Sequence, residues 1–93
     1  MAYKVLIVDD EYLIRQGLSE GIPWSEIGFE VSGTAANGRE ALAHIRETVP
    51  NVIITDVKMP VIDGIELSRI VKQEYPDIKT IILSGYGEFE YAQ

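Results

Sequence analysis

The stretch NVIITDVKMPVIDG, residues 51–64, decides how this chain folds. Its apolar run at residues 52–54 is typical of a strand that is buried on both faces of a parallel sheet. A carboxylate, Asp56, stands where that run stops, and the chain then turns towards Gly64. Asp63 is the expected cap of the helix that follows, because a side-chain oxygen before the first helical turn accepts its backbone N–H groups. Asp56 therefore has no capping role and needs another explanation.

Strands and helices alternate on both sides of this stretch. Helices are predicted after the acids at 9–10, after Asn37 and after Asp63, and each ends near a glycine or a proline. The predicted strands are YKVLIVD at 3–9, FEVSGTA at 29–35, NVIITD at 51–56 and IKTIILS at 78–84, and EFEYAQ at 88–93 has the pattern of a fourth helix. Such alternation indicates parallel βαβ units whose crossovers place helices on both faces of one sheet. We therefore expect a single α/β domain over residues 1–93.

Side-chain patterns give three narrower expectations. The first helix carries its apolar residues on one face, at Leu13, Ile14, Gly17 and Leu18. The segment FEVSGTA alternates apolar and polar residues, which indicates a partly covered edge strand. The single histidine, His44, lies in the second helix and is expected to face solvent rather than to bind a ligand.

Composition and charge limit the class of protein. The 46% hydrophobic and 25% charged residues are the balance of a globular domain. The net charge is −7 and the basic residues are scattered, so this domain is not expected to bind nucleic acid directly. The sequence has no cysteine, no signal-peptide pattern and no apolar run near the roughly 20 residues that span a bilayer. These features predict a cytoplasmic protein that does not enter a membrane.

Acidic and hydroxyl side chains follow three of the predicted strands. Asp9 and Asp10 follow the first strand, Asp56 ends the third and Ser84 ends the fourth. Ligand sites of open parallel sheets form outside the carboxyl ends of the strands, so these side chains are expected to share one rim. Carboxylates that lie close together raise one another's pKa unless a cation neutralises them, and Mg²⁺ prefers oxygen ligands. Any one of these residues alone is more often a cap or a turn former, but together they favour chemistry.

The same residues carry a resemblance to a known family. VDDE at 8–11, Asp56 within ITDVKMPVIDG, and LSGY at 83–86 resemble, in order and spacing, the receiver domain of bacterial two-component response regulators. IPWSEIGFEV and GYGEFEYA further resemble the receivers of AraC-type regulators, whose parent proteins carry a DNA-binding domain. The resemblance implies a flavodoxin-like, doubly wound parallel sheet, here incomplete, with four strands in the order 2-1-3-4 and helices on both faces.

The resemblance also implies a phosphorylation switch. By similarity, Asp56 is the nucleophile that takes a phosphoryl group from the phosphohistidine of a sensor histidine kinase. Asp10 is expected to bind Mg²⁺ directly together with Asp56, Asp9 through water, and Lys58 through its backbone carbonyl. Ser84 is expected to hydrogen-bond a phosphoryl oxygen and to carry the signal onward. Phosphoryl transfer asks for positioning and for neutralisation of spreading negative charge, which a carboxylate beside Mg²⁺ provides.

The chain departs from the family pattern after the fourth strand. Family members continue through a fifth strand that ends in a lysine and then a fifth helix, and this chain has neither, so a C-terminally truncated receiver is expected. No residue in 85–93 replaces that lysine, and alternation points Lys58 away from the site. An uncovered fourth strand is an apolar edge that invites pairing. We therefore expect self-association through the region beside that strand.

Three functions remain open at this level. The first is the phosphoacceptor signalling domain, which regulates transcription through an attached domain. The second is a protein-interaction or dimerisation module that keeps the fold without competent phosphorylation, which the absent lysine favours. The third is a Mg²⁺-dependent phosphatase, but that enzyme class usually needs a second carboxylate two residues after the nucleophile, where this chain has Lys58. We expect a signalling domain rather than an enzyme.

Overall fold

The computed structural model describes residues 2–83, which form four strands and three α-helices in alternation. The strands are β1 (Tyr3–Val8), β2 (Phe29–Ala35), β3 (Val52–Asp56) and β4 (Lys79–Leu83), and the helices are α1 (Tyr12–Gly21), α2 (Gly38–Glu47) and α3 (Gly64–Glu74), with a short 3-10 helix at Trp24–Ile27. The predicted site residue Ser84 and the predicted fourth helix at 88–93 lie outside the described residues.

The four strands are parallel and lie in the order β2-β1-β3-β4, as predicted for a doubly wound sheet. Strands β1 and β3 are central because their apolar runs can be covered on both faces. Strand β2 is an edge strand, as its alternating pattern predicted. The chain leaves β1 for β2 on one side and returns to β3 on the other, so strand order reverses between β1 and β3. A crevice opens at such a reversal, outside the carboxyl ends of the two strands.

The main core lies between one face of the sheet and helices α2 and α3. Its buried members include Leu6 and Ile53 from the sheet, Ile45 from α2 and Leu67 from α3. Both helices begin where the sequence predicted. The Asn37 side chain accepts the Glu40 N–H at 2.9 Å while the Glu40 carboxylate accepts the Ala36 N–H at 3.0 Å, and Asp63 accepts the Glu66 N–H at 2.8 Å. These bonds satisfy backbone donors that a helix leaves without partners.

Helix α1 covers the opposite face of the sheet. Val5 and Ile7 alternate with the core residues of β1 and are fully buried, which places α1 above them. The helix itself buries none of its residues, and Leu13 of its predicted apolar face is 77% exposed. Its C-terminal end is held by the Trp24 indole, which donates to the Leu18 carbonyl at 2.9 Å. The apolar face is therefore only partly covered within residues 2–83, with Leu18 half-buried and Leu13 and Ile14 exposed.

His44 corrects one expectation. Its ring is half-buried rather than solvent-facing, and it lies directly over Gly33 of β2. A Cβ on Gly33 would come within 2.4 Å of the His44 Cε1, and the Ser32 hydroxyl lies 3.4 Å from the His44 Nε2. The glycine supplies the space that the ring fills, which a helical pattern alone does not reveal. Within the described residues, no helix is long and apolar enough to cross a membrane.

Candidate functional site

Three carboxylates meet at the carboxyl ends of β1 and β3. Asp56 is the last residue of β3, and Asp9 and Asp10 follow β1. The pairing of Val8 with Thr55 places the ends of these strands side by side. One carboxylate oxygen from each acid lies within 4.8 Å of the others. The site is therefore assembled by the reversal of strand order, which brings Asp56 to two acids that lie 46 and 47 positions before it in the chain.

Asp9 forms the buried floor of this cluster. Only 7% of its surface is exposed, and its backbone N–H donates to the Ala35 carbonyl at 3.0 Å. Its carboxylate Oδ1 accepts the Glu11 N–H at 2.9 Å, and its carbonyl accepts from the Arg15 guanidinium at 2.7 Å. Burial raises the pKa of this carboxyl, and the Glu11 N–H opposes that shift. One carboxylate oxygen thus also serves the turn into α1, which is the structural role that acids after strands commonly have.

Exposure increases across the cluster. Asp10 is exposed and Asp56 is half-buried. The Asp56 Oδ1 accepts the Val57 N–H at 2.9 Å, which holds the carboxylate against its own strand end. The cap of α3 is Asp63, as the sequence predicted, so Asp56 has no part in capping. Of the three acids, Asp10 is therefore the most open to solvent and Asp9 the least.

A closely packed loop follows Asp56. A Cβ on Gly64 would lie 1.9 Å from the Asp56 carbonyl oxygen, and the Gly64 N–H donates to the Val57 carbonyl at 2.8 Å. Only glycine allows the start of α3 to lie this close to the end of β3. Met59 is buried beneath the loop, 9% exposed. The sequence predicted a turn from Asp56 towards Gly64, but it gave no sign of how closely Gly64 approaches the acid.

Two features of this loop were missed at the sequence level. Val61 has a φ of 72°, and the Ile62 N–H donates to the Pro60 carbonyl at 2.9 Å, so Val61 is the centre of a strained γ-turn. Gly38 at the start of α2 packs on the loop, where an added Cβ would lie 2.6 Å from the Ile62 Cβ. A β-branched residue gives no signal of positive φ, and Gly38 looked like part of a helix start, so neither contact was predictable.

The donor set suits a small, hard divalent cation. Mg²⁺ takes oxygen ligands at roughly 2.0–2.1 Å, uses few carboxylates and keeps several waters. Three carboxylate oxygens within 4.8 Å of one another, with one acid buried and one open to solvent, fit that requirement. Burial raises the pKa of Asp9, which means that its charged form is unfavourable in the folded chain. A cation bound beside it would offset that cost. Lys58 follows Asp56 closely in the loop, and its side chain is exposed.

Comparison with known proteins identifies the same kind of domain throughout. The family model for the response regulator receiver domain matches residues 5–93. An uncharacterized transcriptional regulatory protein, YesN of Bacillus subtilis, is 46% identical over 91 residues, which are 98% of this chain and 25% of that protein. The chain thus spans about a quarter of the length of this curated relative.

Solved structures agree in fold. The receiver domain of AraT from Geobacillus stearothermophilus superposes with a TM-score of 0.91 at 41% identity, covering 100% of this chain and 72% of that one. A two-component transcriptional regulator AraC from Clostridium phytofermentans gives 0.87 at 42% identity, covering 98% and 70%. A CheX-CheY-BeF3-Mg²⁺ complex from Borrelia burgdorferi gives 0.81 at 26% identity, covering 96% and 66%. The predicted resemblance to AraC-type receivers is confirmed by these likenesses.

Proposed function

The chain belongs to the response regulator receiver family, and on this premise we propose that it is a phosphoacceptor domain in which Asp56 receives a phosphoryl group from a sensor kinase. The observation that carries the proposal is the cluster of three carboxylates at the β1 and β3 ends. In the proposed step, an Asp56 oxygen forms a bond to phosphorus while the bond from phosphorus to the kinase histidine breaks. The bonding electron pair leaves with the imidazole, and an acyl phosphate remains on Asp56.

The chain's own residues supply the positioning for this step. The Val57 N–H fixes the Asp56 carboxylate at 2.9 Å, and the close approach of Gly64 fixes the backbone behind it. By the family resemblance, Asp10, Asp56 and the Lys58 carbonyl would hold Mg²⁺ directly, and Asp9 would hold it through water. A bound Mg²⁺ supplies positive charge against the negative charge of the phosphoryl oxygens. The CheX-CheY-BeF3-Mg²⁺ complex of a homologous fold supports a site for this ion.

The wider role is proposed from the relatives. Ser84, which lies outside the described residues, is proposed as the switch hydroxyl on the strength of the family motif alone. The chain spans 25% of YesN, a transcriptional regulatory protein, so we propose that it controls an attached DNA-binding domain. With a net charge of −7, the receiver itself is not proposed to contact DNA.

The proposal is tested by intact mass spectrometry after incubation with a small phosphodonor such as acetyl phosphate, with and without Mg²⁺. We expect a mass increase of one phosphoryl group that needs Mg²⁺ and is lost in Asp56→Asn. Asp63→Asn is the matched control, because it removes a nearby negative charge but keeps an oxygen for the helix cap. An unmodified, folded wild-type chain would refute competent phosphorylation in this chain.

A second candidate function is assembly with another copy of the chain. Ile81 and Leu83 of β4 are 49% and 38% exposed, and within residues 2–83 this strand pairs only with β3. The β4 edge that is unpaired within residues 2–83, together with these apolar side chains, would be covered by the same edge of a second copy. Light scattering over a range of concentrations tests this candidate. If the chain self-associates in this way, we expect a dimer that the Ile81→Lys substitution dissociates. A monomer at every concentration would refute this candidate function.

A further inference from the structure

Arg15 makes an unexpected contact with Asp9, one of the three acids of the cluster. It lies in the first turn of α1, and its Nη1 donates to the backbone carbonyl of Asp9 at 2.7 Å. Guanidinium groups beside carboxylates normally form paired, charge-assisted bonds with them. Within residues 2–83, no ion pair joins Arg15 to the carboxylate of Asp9 or Asp10. The Arg15 side chain therefore binds the main chain of the loop at residues 9–11. It leaves the carboxylate oxygens of Asp9 and Asp10 available to other partners.

The connection from β1 to α1 has few other restraints. Helix α1 buries no residue, and its first residue follows Glu11, whose side chain makes no capping bond. The loop at residues 9–11 is held at Asp9 by three bonds, from its N–H to the Ala35 carbonyl, from the Glu11 N–H to its carboxylate, and from the Arg15 guanidinium to its carbonyl. At Glu11 the carbonyl also accepts the Arg15 backbone N–H at 3.1 Å. Of these bonds, only the guanidinium contact comes from a side chain of α1. It ties the helix to the end of the strand.

The guanidinium is itself held in place. Its central carbon lies 5.6 Å from the centre of the Tyr12 ring, within the range of a cation–π contact. The Arg15 side chain is half-buried, which limits the conformations open to it. A restrained donor can in turn restrain its acceptor, so the Arg15 contact helps to hold the Asp9 carbonyl.

We infer that Arg15 is a positioning residue for the acid cluster, which sets the β1–α1 loop so that Asp9 and Asp10 face Asp56 and a divalent cation. This inference rests on the proposed function, because it assumes that the cluster binds Mg²⁺. Arg15 has two opposite effects on that ion. Its positive charge opposes cation binding, whereas its hold on the loop favours it by lowering the cost of organising the ligands. The inference states that the second effect is the larger.

The sign of one measurement separates these effects. Mg²⁺ affinity is measured by isothermal titration calorimetry and by the rise of the thermal midpoint with Mg²⁺ concentration. Arg15→Met keeps the apolar stem but removes the donor and the charge, and we expect it to weaken Mg²⁺ binding roughly tenfold, as for other outer-shell partners. Arg15→Lys keeps a donor of similar reach and is expected to bind closer to wild type than to Arg15→Met. Tighter or unchanged binding by a folded Arg15→Met chain would overturn the inference.

Gln16→Ala is the matched control, because Gln16 is the next residue of α1 and bonds only to Glu20 of the same helix among the described contacts. Gln16→Ala is expected to leave the Mg²⁺ affinity unchanged. If it weakened Mg²⁺ binding as much as Arg15→Met, the loss would come from a general disturbance of α1 and not from the Arg15 contact. If Arg15→Met does not fold by circular dichroism, Arg15→Gln, with shorter reach, takes its place under the same expectation. A wild-type chain that shows no Mg²⁺ binding refutes the metal part of the proposed function. Binding by wild type with no loss in the variant refutes the role of Arg15 alone.

The rate of phosphorylation provides a second test of the role of Arg15. With a small phosphodonor, Arg15→Met is expected to raise the Mg²⁺ concentration needed for half-maximal rate, while the rate at saturating Mg²⁺ stays near that of wild type. A fall in the saturated rate with no change in the Mg²⁺ requirement would contradict a positioning role towards the cation.

Discussion

At the scale of single residues, Asp9 couples stability to charge. Its pKa is raised in the folded chain, chiefly by burial, above an ordinary value of 3.8. Between the unfolded and the raised folded pKa, the folded state binds more protons, so the free energy of unfolding falls as pH rises through that window. At neutral pH the full cost of the buried charge remains. A cation at the cluster would offset it.

Asp9→Asn is therefore expected to raise the thermal midpoint at neutral pH without Mg²⁺, since the amide keeps an oxygen for the Glu11 N–H but carries no charge. The gain is expected to shrink as pH falls towards 3.8, where the carboxyl is protonated in the wild type. Melting curves over a pH series measure it. Asp77→Asn, at an exposed acid, is the control. A lower midpoint for Asp9→Asn at neutral pH would contradict the burial argument.

Gly64 tests the positioning of Asp56. In Gly64→Ala the new methyl would lie 1.9 Å from the Asp56 carbonyl oxygen, so the backbone must shift. We expect a loss of roughly 1–3 kcal/mol in the free energy of unfolding, as for overpacked sites, together with slower phosphorylation. Gly17→Ala is the matched control, because an added Cβ there meets no described atom within 4 Å apart from its chain neighbours and the nearby backbone of helix α1. That control is expected to gain about 0.5–1 kcal/mol. Equal results for both variants, measured by urea denaturation, would refute the contact.

Val61 stores strain in the same loop. A positive φ of 72° is costly for a β-branched side chain, on the order of 1–3 kcal/mol. Val61→Asn is expected to raise the free energy of unfolding by about 1 kcal/mol, because asparagine is less strained at positive φ than a β-branched valine. Val49→Asn changes another exposed valine and is expected to give no such gain. If both substitutions have the same effect in urea denaturation, the strain argument fails.

At the scale of helices, local chemistry decides where α2 and α3 begin. Asn37→Ala removes the oxygen that accepts the Glu40 N–H, and we expect it to cost about 1 kcal/mol in unfolding free energy. Gln73→Ala, at an exposed position in α3, is expected to leave stability nearly unchanged. Chemical denaturation followed by circular dichroism compares them. An Asn37→Ala chain as stable as the control would mean that packing against α2 makes the cap redundant.

The helices also show how far sequence reasoning reaches. The caps at Asn37 and Asp63 and the buried run of β3 depend on neighbouring residues, so their patterns were sufficient. The packing of His44 on Gly33 and of Gly38 on Ile62 joins separate elements and leaves no local pattern. The exposure of Leu13 in α1 is likewise a tertiary fact, because its spacing is that of a buried helix face. Local signals therefore predicted the elements, and the contacts between them came from the structure.

At the scale of the whole molecule, the sheet order explains why the acid site could be anticipated. Two parallel strands with acids at their carboxyl ends must bring those acids together if they are neighbours, and the order β2-β1-β3-β4 makes β1 and β3 neighbours. The strand order was predicted from the resemblance to a known family. The residue pattern alone predicted only that the acids lie at the same edge of the sheet. The close packing of the loop after Asp56 and the hydrogen bond from Arg15 to Asp9 could be found only from the atomic contacts in the structure. The fold and the members of the acid cluster were thus predictable, but the means of positioning them were not.

The central claim is that Asp56, and no other member of the cluster, accepts the phosphoryl group. Treatment with a phosphodonor and Mg²⁺, followed by borohydride reduction and peptide mass mapping, locates an acyl phosphate, because reduction converts the modified aspartate to homoserine. We predict homoserine at position 56 alone, dependent on Mg²⁺ and on the phosphodonor. Homoserine at position 9 or 10 with an unmodified Asp56, or no homoserine in a folded chain, would contradict the account.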